Sequence, residues 1–112
     1  MTGETVFGKI LLGEIPSDEV FSDDKCLAFR DIQPQAPIHI LVIPRKPLKS
    51  LLEAQQEDKE LLGHLLLVAK KVARNEGLTS WRTVINTGES SGQTVFHLHL
   101  HVIGGHELGW PP

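Results

Sequence analysis

The sequence has little with which to brace itself covalently. Its only cysteine among 112 residues, Cys26, cannot form an intramolecular disulfide, so the fold must depend on apolar burial, and the chain suits a reducing compartment. Cys26 is accordingly expected to pack in the core. No apolar run nears the about 20 residues that cross a bilayer, which excludes a helical membrane protein, and no membrane partner is expected. Met1 to Lys9 lack the charged start, apolar middle and small-residue cleavage site of a secretory signal, so a cytoplasmic location is expected. Positive charge is short as well. Lys and Arg total 11 against 14 Asp and Glu, and the basic pairs Arg45-Lys46 and Lys70-Lys71 read as solvated faces. A nucleic-acid surface needs clustered cations that this chain lacks, so small substrates are favoured.

What is present is sufficient for one compact domain spanning residues 1–112, without repeats or low-complexity tracts. Leu61, Leu62, Leu65, Val68, Ala69 and Val72 recur at three- and four-residue steps, which predicts a long helix over Asp58 to Glu76, stopped by Gly77. Ser50 with Glu53 three residues on predicts a capped preliminary turn, and a shorter helix is expected around Gly8 to Leu12. Strands are predicted at Val20 to Asp23, Cys26 to Asp31, His39 to Pro44, Trp81 to Asn86 and Val95 to Ile103, with Ser22-Asp23-Asp24-Lys25 as a hairpin turn. Strands follow strands rather than alternating with helices. This order favours an α+β fold with an antiparallel sheet, one face covered by the long helix.

The most informative segment is His97-Leu98-His99-Leu100-His101-Val102-Ile103, where imidazoles and aliphatics alternate with the period of a strand. Leu98, Leu100 and Val102 then face the core, and the three histidines line the other face at roughly 6.6 Å intervals. Zinc is one use for such a row. Against it, the outer pair lie roughly 13 Å apart by the same rise, and no Cys-x-x-Cys or His-Glu-x-x-His motif supplies further ligands, so no metal is assigned. Nucleophilic chemistry fits better, because neutral imidazole attacks phosphorus and leaves a labile phosphoramidate. Three clustered imidazoles also resist carrying charge together, so one can stay neutral while a neighbour is protonated beside a bound phosphate.

This segment resembles the signature of the histidine-triad (HIT) superfamily. The resemblance extends to Phe7-Gly8-Lys9-Ile10, Leu27-Ala28-Phe29-Arg30-Asp31-Ile32, Pro34-Gln35-Ala36-Pro37, His39-Ile40-Leu41-Val42-Ile43-Pro44, Gly104-Gly105 and Trp110-Pro111-Pro112, and so covers nearly the whole chain. It is similar to the HINT branch in particular. The superfamily's nucleotidyltransferases typically carry glutamine at the third position, so His101 implies hydrolysis. The resemblance implies a five-stranded antiparallel sheet with one long and one short helix, pairing into a homodimer with a continuous sheet. It also implies a purine nucleoside phosphoramidase that needs no metal or other cofactor, releases AMP, and hydrolyses acyl and aminoacyl adenylates.

By resemblance His99 is the nucleophile, His101 contacts phosphate or leaving group, His97 supports the triad and His39 is a fourth active-site histidine. Asp31 would accept hydrogen bonds from the ribose hydroxyls, with Ile32 beside the sugar and Phe7, Ile10, Ile15 and Phe29 forming the base pocket. Asn86, Gly92, Gln93 and Thr94 fall around the phosphate. The Gly88 to Thr94 loop would let backbone amides approach an anion, and Thr94 stands where the branch usually has serine. Trp110, in a tail over residues 104–112, would reach the dimer interface near the active site. His64 and His106 receive no catalytic role. Three rival readings remain: a nucleotide-binding regulatory module, a dinucleoside polyphosphate hydrolase and a zinc-stabilised structural protein.

Overall fold

In the computed structural model, residues 5–112 are described. Residues 1–4, part of the Met1 to Lys9 stretch read for an export signal, lie outside the described residues. The elements run α1 (Val6–Leu11), β1 (Glu19–Ser22), β2 (Cys26–Arg30), β3 (Ile38–Pro44), α2 (Lys59–Asn75), β4 (Arg82–Val84) and β5 (Leu100–Gly104). The five strands form one antiparallel sheet in the order β1-β2-β3-β5-β4.

Local chemistry places the boundaries. Asp23 Oδ1 accepts the amides of Lys25 and Cys26, closing the β1–β2 hairpin where an aspartate-rich turn is expected. Thr5 caps α1 by accepting the Gly8 amide. Ser50 Oγ accepts the Leu52 amide while Glu53 accepts that of Lys49, so the expected capped turn exists as a single 3₁₀ turn over Leu51–Glu53. At the other end of α2, Gly77 takes φ +85, Gly77 N–H donates to Arg74 O and Leu78 N–H donates to Ala73 O. That is the paired bonding of a glycine-terminated helix, which a side chain at φ +85 would strain.

The sheet buries both faces, because alternate residues of β2, β3 and β5 point oppositely. Cys26, Ala28, Ile40, Val42, Leu100 and Val102 meet Leu65, Val68, Ala69 and Val72 of α2, joined by Leu98. Leu27, Phe29, Leu41 and Ile43 meet Phe7 of α1 on the other face. Cys26 is the expected core residue: burial first, and the Asp23 carboxylate second, push its thiol up to about 12. Arg30 forks onto Glu76 at 2.8 and 2.9 Å, tying β2 to the end of α2.

Two strands are shorter than expected. The predicted Trp81 to Asn86 strand retains Arg82–Val84, and the predicted Val95 to Ile103 strand begins only at Leu100. For the second the reason is a change of partner. Beyond the Val42–Leu100 pair the chain leaves β3, and Leu98 N–H donates to Leu48 O at 2.7 Å. The basic pair Arg45-Lys46 is also engaged rather than merely solvated: Arg45 donates to Asp23 O and Ser22 Oγ, and Lys46 binds Asp58. Among the described residues, no helix is long and apolar enough to cross a membrane.

Candidate active site

The face of the sheet away from α2 opens into a cavity of about 450 Å³, within the range of small-molecule sites. Phe7 and Ile10 of α1, Ile15, Phe29, Asp31, Ile32, His39, Thr94, His99 and His101 all line it. Two β3 side chains and one from β5 reach this face by register: Leu41 pairs with His101, and His39 pairs with Ile103, diagonal to it. His99 precedes β5 yet keeps the alternation, so its ring stands 5.0 Å from that of His101 and edge-on to Phe7 at 5.0 Å.

Hydrogen bonds assign the tautomers. A carbonyl only accepts, so the 2.8 Å contact of His99 Nδ1 with His97 O places a proton on Nδ1 and leaves the Nε2 lone pair free. An amide only donates, so the 3.0 Å contact of Gln35 N with His39 Nδ1 leaves that nitrogen bare and puts the proton on Nε2. His39 Nε2–H then donates to His101 Nδ1 at 2.9 Å. His101 in turn carries its proton on Nε2. The result is a nucleophile-ready nitrogen on His99 and an N–H donor on its neighbour.

Electrostatics keeps these rings uncharged. Burial is the main cause in all four: it lowers His39 and His97 below the ordinary 6.5, lowers His99 despite its bond to the His97 carbonyl, and with the neighbouring His99 and His39 drives His101 down to about 4. Asp31 opposes the shift in His39, His99 and His101. Sequence reasoning expected one imidazole to stay neutral while a neighbour is protonated beside a bound phosphate. The protein's own groups hold all four rings towards the neutral form, and the donor they provide is a neutral N–H.

Several expected residues stand elsewhere. His97 does not share the cavity with His99 and His101: its Nε2–H donates to Pro44 O at 2.7 Å, fastening the segment to the end of β3. The row of three rings is thus a pair in the cavity and an anchor behind it. Gln93 is buried beneath its loop, accepting from Gly88 N and donating to Lys49 O and Val95 O. The amides of Ser91, Gly92 and Gln93 close the loop on itself, and Asn86 packs under Gly92, whose φ of +99 suits glycine. Of the phosphate-loop residues named from the sequence, Thr94 alone lines the cavity. Trp110 is 81% exposed at the sheet edge, its ring 5.7 Å from the Arg82 guanidinium, and lies outside the cavity.

Asp31 does two things. Its Oδ1 accepts the Gln33 amide as a turn residue, while Oδ2 lies 3.4 Å from His39 Nε2. Asp31, His39 and His101 bring one donor atom each within 4.8 Å of one another, a grouping able to hold a metal and different from the histidine row. Sequence reasoning missed several contributors to the site, Gln35 and Leu41 among them. Gln35 sets the His39 tautomer through its backbone, which carries no side-chain signal, and Leu41 lines the cavity from a strand that reads as uniformly apolar.

A HIT domain model matches residues 12–108. The chain belongs to the HIT family. It is 61% identical over 113 residues to an uncharacterized HIT-like protein of Synechococcus elongatus, covering 100% of this chain and 99% of that one. Among solved structures it is similar to a HIT family hydrolase from Legionella pneumophila, with a TM-score of 0.93 and 48% identity over 96% of this chain and 97% of that chain. A histidine triad protein from Clostridium difficile superposes with a TM-score of 0.89 and 42% identity, covering 93% and 92% of the respective chains. The α+β HIT fold read from the sequence is therefore the fold of this chain.

Proposed function

We propose that this HIT protein is a nucleotide hydrolase of the HINT branch, which splits the phosphorus–nitrogen bond of purine nucleoside phosphoramidates, and related aminoacyl or acyl adenylates, to release AMP. The observation that carries the reading is the opposed polarity of two adjacent rings: a bare Nε2 on His99 and a protonated Nε2 on His101 beside one apolar cavity. The likeness to a HIT family hydrolase supports it.

His99 Nε2 attacks the α-phosphorus, the phosphorus–nitrogen bond breaks, and the leaving amine takes a proton delivered from solvent water through His101, whose ring gains one proton as it gives one and stays neutral. Water then adds to phosphorus as the bond to His99 breaks, its proton passes back to solvent by the same route, and AMP departs. Phe7, Ile10, Ile15 and Phe29 receive the base, Asp31 and Ile32 the ribose, and Thr94 the phosphate, with Asn86, Gly92 and Gln93 shaping the loop from behind. His97 and His39 hold the two working rings. Two chains pair through the β4 edge into a continuous sheet, which lets Trp110 serve the neighbouring cavity. The reaction needs no cofactor, membrane or nucleic acid.

The test is rapid-quench mass spectrometry with an adenylated amine. Adenylate mass on the His99 peptide is expected, and its absence alongside absent turnover would remove the proposal in favour of a binding module. Faster turnover of diadenosine polyphosphates in parallel assays would reassign the substrate.

A further inference from the structure

On the opposite side of the sheet, three groups with no part in the chemistry above converge. Asp23 in the β1–β2 turn, Cys26 at the start of β2 and His64 on α2 place one carboxylate oxygen, one sulfur and one ring nitrogen within 4.8 Å of one another. His64 Nε2 lies 2.7 Å from Asp23 Oδ2, and Asp23 Oδ1 is held by the amides of Lys25 and Cys26. Cys26 is fully buried, while Asp23 and His64 are part-exposed, with side-chain exposures of 25% and 34%. A hollow lined by Asp24, Lys25, Glu60, Leu61 and His64 opens beside them.

We propose that Asp23, Cys26 and His64 form a binding site for a divalent, thiophilic transition metal, zinc or its analogue cobalt, with water as the fourth ligand. A tetrahedral site with metal–nitrogen bonds of about 2.0 to 2.1 Å and a metal–sulfur bond of about 2.3 Å spaces its donors roughly 3.3 to 3.8 Å apart. The present 2.7 Å contact must widen and the outer separation of up to 4.8 Å must close, each by about an ångström or less. Charge favours the change: a thiolate, a carboxylate and a neutral imidazole cancel a dipositive ion, which limits the cost of placing it at the edge of the core. Thiolate and imidazole select zinc or cobalt over magnesium or calcium.

On binding, the Cys26 thiol loses its proton to solvent and forms the sulfur–metal bond. The His64 proton moves from Nε2 to Nδ1, freeing Nε2 to coordinate, and no oxidation state changes. The metal would clamp the β1–β2 hairpin to α2, a link now made only by the His64–Asp23 contact among these three side chains. The site was not legible as a motif, because His64 lies 41 residues beyond Asp23 along the chain.

The test is a cobalt titration of the reduced, metal-stripped full chain. The expected result is a near-ultraviolet sulfur-to-cobalt charge-transfer band that zinc abolishes; since Cys26 is the sole cysteine, the band reports this site alone. It should vanish in Cys26→Ser, His64→Gln and Asp23→Asn and persist in His101→Ala, which disables the other metal-capable grouping. Zinc should raise the melting temperature of wild type and His101→Ala but not of His64→Gln. Absence of the band at excess cobalt, or its survival in His64→Gln, would overturn the proposal. Because this site lies across the sheet from the cavity, either outcome leaves the hydrolase reading untouched.

Discussion

The two faces of the sheet are built from alternate residues of the same strands and have been put to opposite uses. Towards α2, Ile40, Val42, Leu100 and Val102 are sealed by Leu65, Val68 and Val72, and their contribution is stability. Towards α1, the intervening positions hold His39, Leu41 and His101, and the small helix covers them only in part, leaving the cavity. A long helix closes a face; a two-turn helix leaves room for a ligand. The difference teaches that function here occupies the less completely covered layer, where polar groups can be buried because each ring nitrogen that must be satisfied has a named partner.

The sharpest way to break the comparison is to truncate one residue on each face. His99→Ala should lower turnover of adenosine phosphoramidate by roughly 10⁴-fold or more while hardly moving the denaturation midpoint, as removal of a nucleophile does. Leu65→Ala should do the reverse: about 2 to 5 kcal/mol of stability lost in chemical denaturation, with the turnover per folded molecule retained. If both variants lost stability equally, the division of labour between faces would fail.

A smaller effect separates the rings from each other. His39→Leu removes the donor that sets the His101 tautomer, so kcat should fall by about tenfold, the worth of one neutral hydrogen bond, with KM little changed. An unchanged kcat would deny His39 its positioning role.

The smallest effect is the pH dependence of stability. The cavity histidines have folded-state values below 6.5, that of His101 reaching about 4, so the unfolded chain binds protons first as pH falls. Their contribution is therefore complete above 6.5 and is lost as pH drops from there towards 4. Melting temperature should decline between pH 7 and pH 5, a window above the carboxylate range, and His101→Gln should flatten the decline. A flat wild-type profile would show the rings to be more solvated than their burial indicates.

The elements that were legible in advance are those whose signals are local. Leucines at helical spacing, Gly77 beyond them and Asp23 in its turn predicted α2, its stop and the first hairpin, and the structure contains all three. The alternation around His99 likewise placed Leu98, Leu100 and Val102 in the core. Errors arose where a long-range partner decides. Val95 to His99 have a strand's alternation, but the bond from Leu98 to Leu48 takes them out of the ladder, and His97 turns to Pro44 instead of the cavity. Gln93 resembles a phosphate contact by position, yet three hydrogen bonds hold it under the loop.

The chain alone determined the long helix and its stop, the first hairpin, the core-facing positions of the sheet and the set of imidazoles available, because periodicity and turn chemistry act within a few neighbours. Only the tertiary structure decided which ring nitrogens carry protons, which histidine serves as an anchor, and that Asp23, Cys26 and His64 meet at all. Those outcomes depend on backbone carbonyls and amides brought from distant segments, and no residue's identity encodes where such a partner will stand.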